Sequence, residues 1–112
     1  MTTAFADEVV RVKDAGHLSD TLIARATGAA PSTVRGWLAR TSSPSGIRAE
    51  RVAELAALVA RLARVMDADY IPVWLSKPIE ALDDEKPLDL IARGDYRFVS
   101  AALRNLEHPG AV

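Results

Sequence analysis

Cysteine is absent from the 112-residue sequence, which excludes disulfides, thiolate metal sites and cysteine nucleophiles. Long apolar runs are absent too, because the longest uninterrupted run covers only residues 55–60, far too few to span a bilayer. The start of the chain contains Asp7 and Glu8 and no basic cluster. We therefore expect no signal peptide and a cytoplasmic protein.

The composition is that of an ordinary globular protein. Apolar residues make up 49% of the chain and charged residues 26%, and a chain of this length forms one domain. The net charge of −1 is unevenly spread. Residues 1–64 have nine Arg and Lys against six Asp and Glu, whereas residues 65–112 have five against nine. A mildly basic first part and an acidic second part indicate two kinds of partner.

Apolar residues recur with helical spacing along the chain and nowhere alternate over a sustained stretch. We therefore predict an all-α fold. Gly16 and Gly28 are predicted helix stops, Ser19 is an N-cap, and Pro31 suits the first turn of the helix that follows. Residues 41–46, with their Ser, Pro and Gly, form the clearest linker.

The longest predicted helix covers residues 48–66. Its apolar residues step by three and four, which is typical of a seam packed against another helix. They are Val52, Leu55, Val59, Leu62 and Met66, with Leu58 and Val65 beside them. Prolines then restrict the chain to short segments, and a last helix follows Gly94 with Asp95 as its cap. The predicted apolar face of that helix consists of Phe98, Val99, Ala102, Leu103 and Leu106.

A helix-turn-helix pattern covers residues 20–40. Ala24 falls where the two helices approach closely, and Gly28 falls in the turn, which needs a positive φ. Val34 and Trp37 are the apolar anchors of the second helix, and the spacings of 4, 6 and 3 match the motif. A plain helical hairpin is the alternative interpretation.

In a helix-turn-helix, the outward residues of the second helix enter the major groove of DNA. The residues predicted to contact DNA are Ser32, Thr33, Arg35 and Arg40. Arg35 is suited to a guanine edge, Ser32 and Thr33 to phosphates or bases, and Arg40 to the backbone. Gly36 has no side chain to contact DNA, so this helix offers few contacts. Binding would therefore need a dimer or a larger complex.

The sequence contains no pattern typical of an enzyme. The two histidines, His17 and His108, lie beside helix ends without a cluster of ligands. Asp67 and Asp69 lack the remaining residues of a calcium loop, and the acidic residues 83–85 are typical of a solvated loop. We expect no cofactor and no metal.

The second part of the chain contains a more distinctive pattern, which reads Trp74-Leu75, Ala81-Leu82, Pro87-Leu88, Gly94, and Val99 with Leu103. In these residues the chain resembles the toxin-binding domain of the Xre/MbcA/ParS-like antitoxins, over about residues 70–106. It differs at Asp83-Asp84, where such antitoxins often have glycine. The alternative is that Trp74, Leu75 and Leu82 simply fill a small helical core.

The resemblance implies an antitoxin that binds a RES-domain toxin, an enzyme that degrades NAD, and that represses its own operon. It divides the chain into a DNA-binding part, residues 1–46, and a part with the long helix and the toxin-binding domain, residues 47–112. The toxin-binding residues it indicates are Trp74, Leu75, Leu82, Arg104, Glu107, His108 and Val112. The resemblance implies that the final segment, residues 105–112, covers the toxin's active site. Glu107 and the Val112 carboxylate would there face the cationic groups that bind the NAD pyrophosphate.

The expected assembly is a hetero-oligomer with the toxin, with homodimer contacts through the long helix. The alternative function is a free-standing helix-turn-helix repressor whose second part only dimerises. A RES-domain reading frame beside this gene would distinguish the two.

Overall fold

The computed structural model describes residues 3–110, and the regular structure in that range is helical. The helices are α1 (Thr3–Gly16), α2 (Asp20–Thr27), α3 (Pro31–Leu38), α4 (Gly46–Leu62), α5 (Ile71–Ser76), α6 (Pro87–Ala92) and α7 (Tyr96–Glu107), with 3₁₀ turns at Ala68–Tyr70 and Glu80–Leu82. The all-α prediction is confirmed. No helix in this range is long and apolar enough to cross a lipid bilayer.

The helix boundaries around α2 agree with the prediction. Ser19 is the N-cap, and its Oγ accepts a hydrogen bond from the Leu22 backbone N–H at 3.2 Å. Gly28 ends the helix with a φ of 75°, a left-handed conformation in which the chain leaves the helix axis. Pro31 is the first residue of α3, where a backbone N–H would have no helical partner.

The longest helix, α4, is shorter than predicted. It covers Gly46–Leu62 rather than residues 48–66. The N–H groups of Arg64 and Val65 donate to carbonyls three residues back, which tightens the last turn and ends the regular helix. Met66 is consequently only partly buried in the following turn, and Val65 is exposed.

The rest of the α4 seam lies inside the protein. Val52, Leu55, Val59 and Leu62 are at most 1% exposed, and α4 packs against α1, α2, α6 and α7. The first helix comes so close that a Cβ at Gly16 would lie 3.0 Å from a methyl group of Val59. The chain itself therefore covers this seam, and a homodimer through α4 would have to use other residues.

A single hydrophobic cluster runs from Val9 in α1 to Leu103 in α7. Helix α2 packs on α6, and Arg25 of α2 donates two hydrogen bonds to the Asp89 carboxylate of α6, at 2.9 and 3.1 Å. The first and second parts of the chain thus share one core. A division at residue 46 stays a prediction about function.

The last helix buries only one stripe of its predicted apolar face. Val99 and Leu103 are fully buried, but Phe98 is 50% exposed and Leu106 is 42% exposed. The prediction for Phe98 and Leu106 is wrong, because the core lies on the side of the helix that Val99 and Leu103 occupy. Asp95 directly precedes α7 as predicted, but its side chain makes no cap hydrogen bond and lies 3.6 Å from Arg93 instead.

Candidate functional site

The first candidate surface is the α2–α3 pair. Ala24, Val34 and Trp37 are buried between the helices, as the spacing predicts. The opposite face of α3 has Ser32 and Arg35 exposed and Thr33 half-buried. These polar side chains therefore share the accessible side of α3, where a ligand can reach them.

The predicted DNA contact Arg40 and the nearby Arg48 already have partners within the chain. Arg40 lies beyond the end of α3, and its Nη2 donates to Asp7 of α1 at 2.6 Å. Arg48 donates to the Gly28 carbonyl at 3.3 Å, which supports the turn between α2 and α3. The charge on the accessible face of α3 therefore comes from Arg35.

Gly36 has a packing role that the sequence analysis did not detect. A Cβ at this position would lie 2.9 Å from the Ser42 hydroxyl. The Thr41 hydroxyl also donates to the Gly36 carbonyl at 3.2 Å. The linker after α3 thus folds back onto the helix, and a larger residue at Gly36 would require the Ser42 side chain to move.

Three of the predicted toxin-binding side chains are largely buried. Trp74 is 6% exposed, Leu75 is fully buried, and Leu82 is 7% exposed. The short helix α5 packs against α6 and buries Ile71, Trp74 and Leu75, whereas Val73 is exposed. This burial favours the alternative that Trp74 and Leu75 fill the core, and direct contact of these residues with a toxin stays a prediction. Leu82 forms part of the floor of the groove described below.

The end of α7 is fixed to α4. Arg61 donates to the Glu107 carboxylate from Nε at 2.9 Å and from Nη2 at 2.6 Å, and it also donates to the hydroxyl and carbonyl of Ser100. The hydrogen bond from Arg61 lowers the pKa of Glu107, and the same bond raises the pKa of Arg61. Glu107 was expected to be a free anion on a released tail, and this expectation is wrong because Glu107 is the last residue of α7 and its carboxylate is paired with Arg61.

Two more of the predicted toxin-binding residues, Arg104 and His108, lie at this end of α7. Arg104 and His108 are exposed, so both are accessible to a partner. Val112 lies outside the described residues. Gly110 has a φ of 84°, and Pro109 precedes it, so the chain turns away from the helix axis after His108.

A groove of about 420 Å³ lies between the Glu80–Leu82 turn and α7. It is lined by Ala81, Leu82, Asp83, Glu85, Leu90, Arg93, Asp95, Phe98, Ala101, Ala102 and Asn105. Leu82 and Leu90 form an apolar floor, and the half-exposed Phe98 stands beside it. The acidic side chains are on the same lining, so the groove combines apolar surface with negative charge.

The turn that borders this groove has an unusual backbone. Asp83 and Asp84 have φ values of 56° and 63°, which lie in the left-handed region that favours glycine. The Ile79 N–H donates to the Glu85 carbonyl at 3.1 Å and the Asp84 N–H donates back to the Ile79 carbonyl at 3.0 Å, which holds the turn closed. A non-glycine residue in this conformation costs about 1–2 kcal/mol, somewhat less for Asp, whose side chain tolerates it. The resemblance to antitoxins that have glycine here is consistent with this backbone.

Of the candidate metal ligands, His17 lies within hydrogen-bonding distance of an acidic side chain. His17 Nδ1 lies 2.8 Å from Asp69 Oδ1, and the two side chains are exposed with no third ligand beside them. Within residues 3–110, no three His, Asp or Glu side chains are arranged to hold a metal ion.

Known proteins similar to this chain provide independent evidence about its family. No protein-family model matches the chain. The chain is 35% identical over 75 residues to proteins described as mycobacterial cidal antitoxin MbcA, from Mycobacterium bovis and Mycobacterium tuberculosis. The aligned segment covers 67% of this chain and 66% of each relative, just under two thirds of their length.

A solved structure matches over nearly the whole chain. A chain in the crystal structure of the M. tuberculosis MbcT-MbcA toxin-antitoxin complex superposes with a TM-score of 0.85 and 28% sequence identity. The match covers 97% of this chain and 98% of that one. The likeness therefore extends to the α2–α3 pair as well as to the second part of the chain.

Proposed function

Because the chain is homologous to mycobacterial cidal antitoxin MbcA, we propose that it is an antitoxin that binds and neutralises a RES-domain toxin. The observation that supports this most strongly is the superposition over 97% of the chain on a chain of a toxin-antitoxin complex. The proposed activity is stoichiometric binding rather than catalysis. It takes place in the cytoplasm, where both NAD and the operon DNA are found.

The proposed mechanism is that the segment after α7 covers the NAD-degrading active site of the toxin. The Arg61–Glu107 pair holds the end of α7 against α4, so the exit direction of this segment is fixed by the fold. Arg104 and His108 are exposed at the same end and are available to the toxin. Since Glu107 is occupied by Arg61, occlusion would use residues 108–112 rather than this carboxylate.

A second proposed activity is repression of the chain's own operon. The α2–α3 pair would act as a helix-turn-helix, with Ser32, Thr33 and Arg35 on its accessible face toward the DNA. One copy offers little positive charge there, because Arg40 is paired with Asp7. Binding would therefore need several copies, which a hetero-oligomer with the toxin would supply.

The alternative function is a free-standing repressor, and the exposed Ser32 and Arg35 on α3 favour it as much as they favour autoregulation. In that case the second part of the chain would only dimerise. A repressor of this kind would bind its promoter at full affinity without any toxin.

Co-expression tests the proposed function. The chain would be produced together with the protein encoded beside its gene, and the purified product would be assayed for a complex and for NAD consumption. We expect a stable complex that consumes no NAD and a free toxin that does. A chain that forms no complex but shifts its promoter DNA alone would support the free-standing repressor.

A further inference from the structure

We propose that the groove between the Glu80–Leu82 turn and α7 receives a segment of the partner toxin that presents an apolar side chain flanked by arginine or lysine. This inference rests on the proposed antitoxin role and specifies which surface meets the toxin. Four observations support it: the shape of the groove, its charge, the backbone of its rim and its place on α7.

The groove is large enough for bulky side chains and leaves apolar surface open. Its volume is about 420 Å³, and its floor is formed by Leu82 and Leu90. Phe98 is 50% exposed beside this floor. Covering this surface with an apolar side chain removes it from water, which favours association.

The charged residues that line the groove are mostly acidic, so the groove favours binding of a positively charged segment. Asp83, Glu85 and Asp95 all face the groove, and Arg93 is the cation among the lining residues. Arg93 lies 3.6 Å from both Glu85 and Asp95, so its charge is already shared. Asp83 has no ion-pair partner within residues 3–110. A segment with arginine or lysine is attracted to this rim, whereas DNA phosphates are repelled.

The backbone conformation at the edge of the groove suggests a function for the carboxylate of Asp83. Asp83 and Asp84 both have positive φ values, a conformation that glycine adopts without strain. Of the two, Asp83 lines the groove, and a carboxylate-bearing residue there is less favourable for this backbone than glycine. Strained residues of this kind cluster at functional sites, and attraction of a cationic partner is a function that Asp83 could serve.

The place of the groove on α7 favours the toxin over a second copy of the chain. Asn105 lines the groove and lies one helical turn before His108, where the segment proposed to reach the toxin active site begins. A toxin bound by that segment is within reach of the groove. One continuous surface would then include both contacts.

The experiment compares the toxin affinity of Ala101→Arg, which fills the groove and adds positive charge, with that of Ala57→Arg. Ala101 lines the groove and is exposed on α7, and Ala57 is exposed on α4 away from the groove lining, so it is the matched control. We expect the dissociation constant measured by calorimetry with the purified toxin to rise at least roughly tenfold for Ala101→Arg. The control should match the wild type.

A second variant, Asp83→Gly, distinguishes an effect of the lost charge on toxin binding from an effect of misfolding. It should raise the melting temperature, because the left-handed backbone is then unstrained, and it should weaken toxin binding by roughly threefold or more, because the rim loses a carboxylate. Lower affinity combined with higher stability cannot result from misfolding. A stabilised variant with unchanged affinity would overturn the charge argument.

The remaining outcomes distinguish failure of docking in the groove from failure of the proposed antitoxin role. Wild-type affinity in Ala101→Arg would overturn docking in the groove and leave the antitoxin role intact. Absence of toxin binding by the wild-type chain would overturn both. If Ala101→Arg weakened self-association in analytical ultracentrifugation while its toxin affinity was unchanged, the occupant would be a second copy and the proposal would be wrong.

Discussion

Arg61 of α4 holds Glu107 of α7 across 46 positions of sequence, through hydrogen bonds of 2.9 and 2.6 Å. Ser100 accepts from the same guanidinium through its hydroxyl and its carbonyl. The group thus has partners along the last two turns of α7. These contacts fix the direction in which the chain leaves the helix after Glu107.

The ion pair should make stability depend on pH in the acidic range. The folded-state pKa of Glu107 lies below its ordinary value of 4.5. The pair therefore stabilises the fold at pH values above 4.5, and this contribution is lost as the pH falls through the lowered pKa. We expect the melting temperature of the wild type to fall more between about pH 6 and about pH 3 than that of Glu107→Gln. Equal falls in the two proteins would contradict the assignment of this pH dependence to the pair.

Shortening a buried side chain of the α4 seam should lower the stability of the single chain, independently of any association between copies. Leu62 is fully buried on α4, so Leu62→Ala should lower the free energy of unfolding by about 2–5 kcal/mol. Val65→Ala, at a residue that is 38% exposed in the following turn, is the control and should cost about 1 kcal/mol or less. Chemical denaturation at several protein concentrations measures both. A cost for Leu62→Ala that varied with concentration would place the seam between chains instead.

DNA binding should depend on the accessible face of α3. Arg35→Ala should weaken binding to the operon promoter and leave toxin inhibition intact, because Arg35 is exposed and remote in sequence from the groove residues. The affinity of the wild type should also fall steeply with salt, since phosphate contacts release counterions. Arg40→Ala is a useful comparison, because Arg40 is already paired with Asp7. Gel-shift titrations that give the same affinity for the wild type and Arg35→Ala would count against α3 as the DNA-binding helix.

Removal of the final segment should separate assembly from inhibition. A chain that ends after Glu107 keeps the core and the Arg61–Glu107 pair, so it should still form a complex with the toxin. NAD consumption should nevertheless return in that complex, because the active site is no longer covered. An intact truncated complex that stayed fully inactive would rule out occlusion by residues 108–112.

Features set by neighbouring residues could be predicted from the sequence. Ser19 caps α2 through a contact three residues away, Gly28 adopts the left-handed conformation, and Pro31 begins α3. The buried seam of α4 follows from helical spacing in the same way. Each of these depends on a few adjacent residues, so the sequence is sufficient.

Features that depend on how helices pack could not be predicted. Arg40 with Asp7 and Arg61 with Glu107 are 33 and 46 positions apart, and nothing local selects either partner. The exposure of Phe98 has the same origin, because the position of the core decides which stripe of α7 is covered. One signal was available for Arg61, which lies directly before Leu62 of the buried seam, since a partly buried guanidinium needs an anion.

The single hydrophobic cluster that joins α1 to α7 has a consequence for turnover. Proteins with one shared core unfold cooperatively, so a protease that captures the opened chain would destroy the proposed DNA-binding face and the proposed toxin-binding face in one event. Release of the toxin and derepression of the promoter would then occur at the same moment, with a common rate set by unfolding. Arg25 and Asp89 strengthen this coupling, because they join α2 directly to α6.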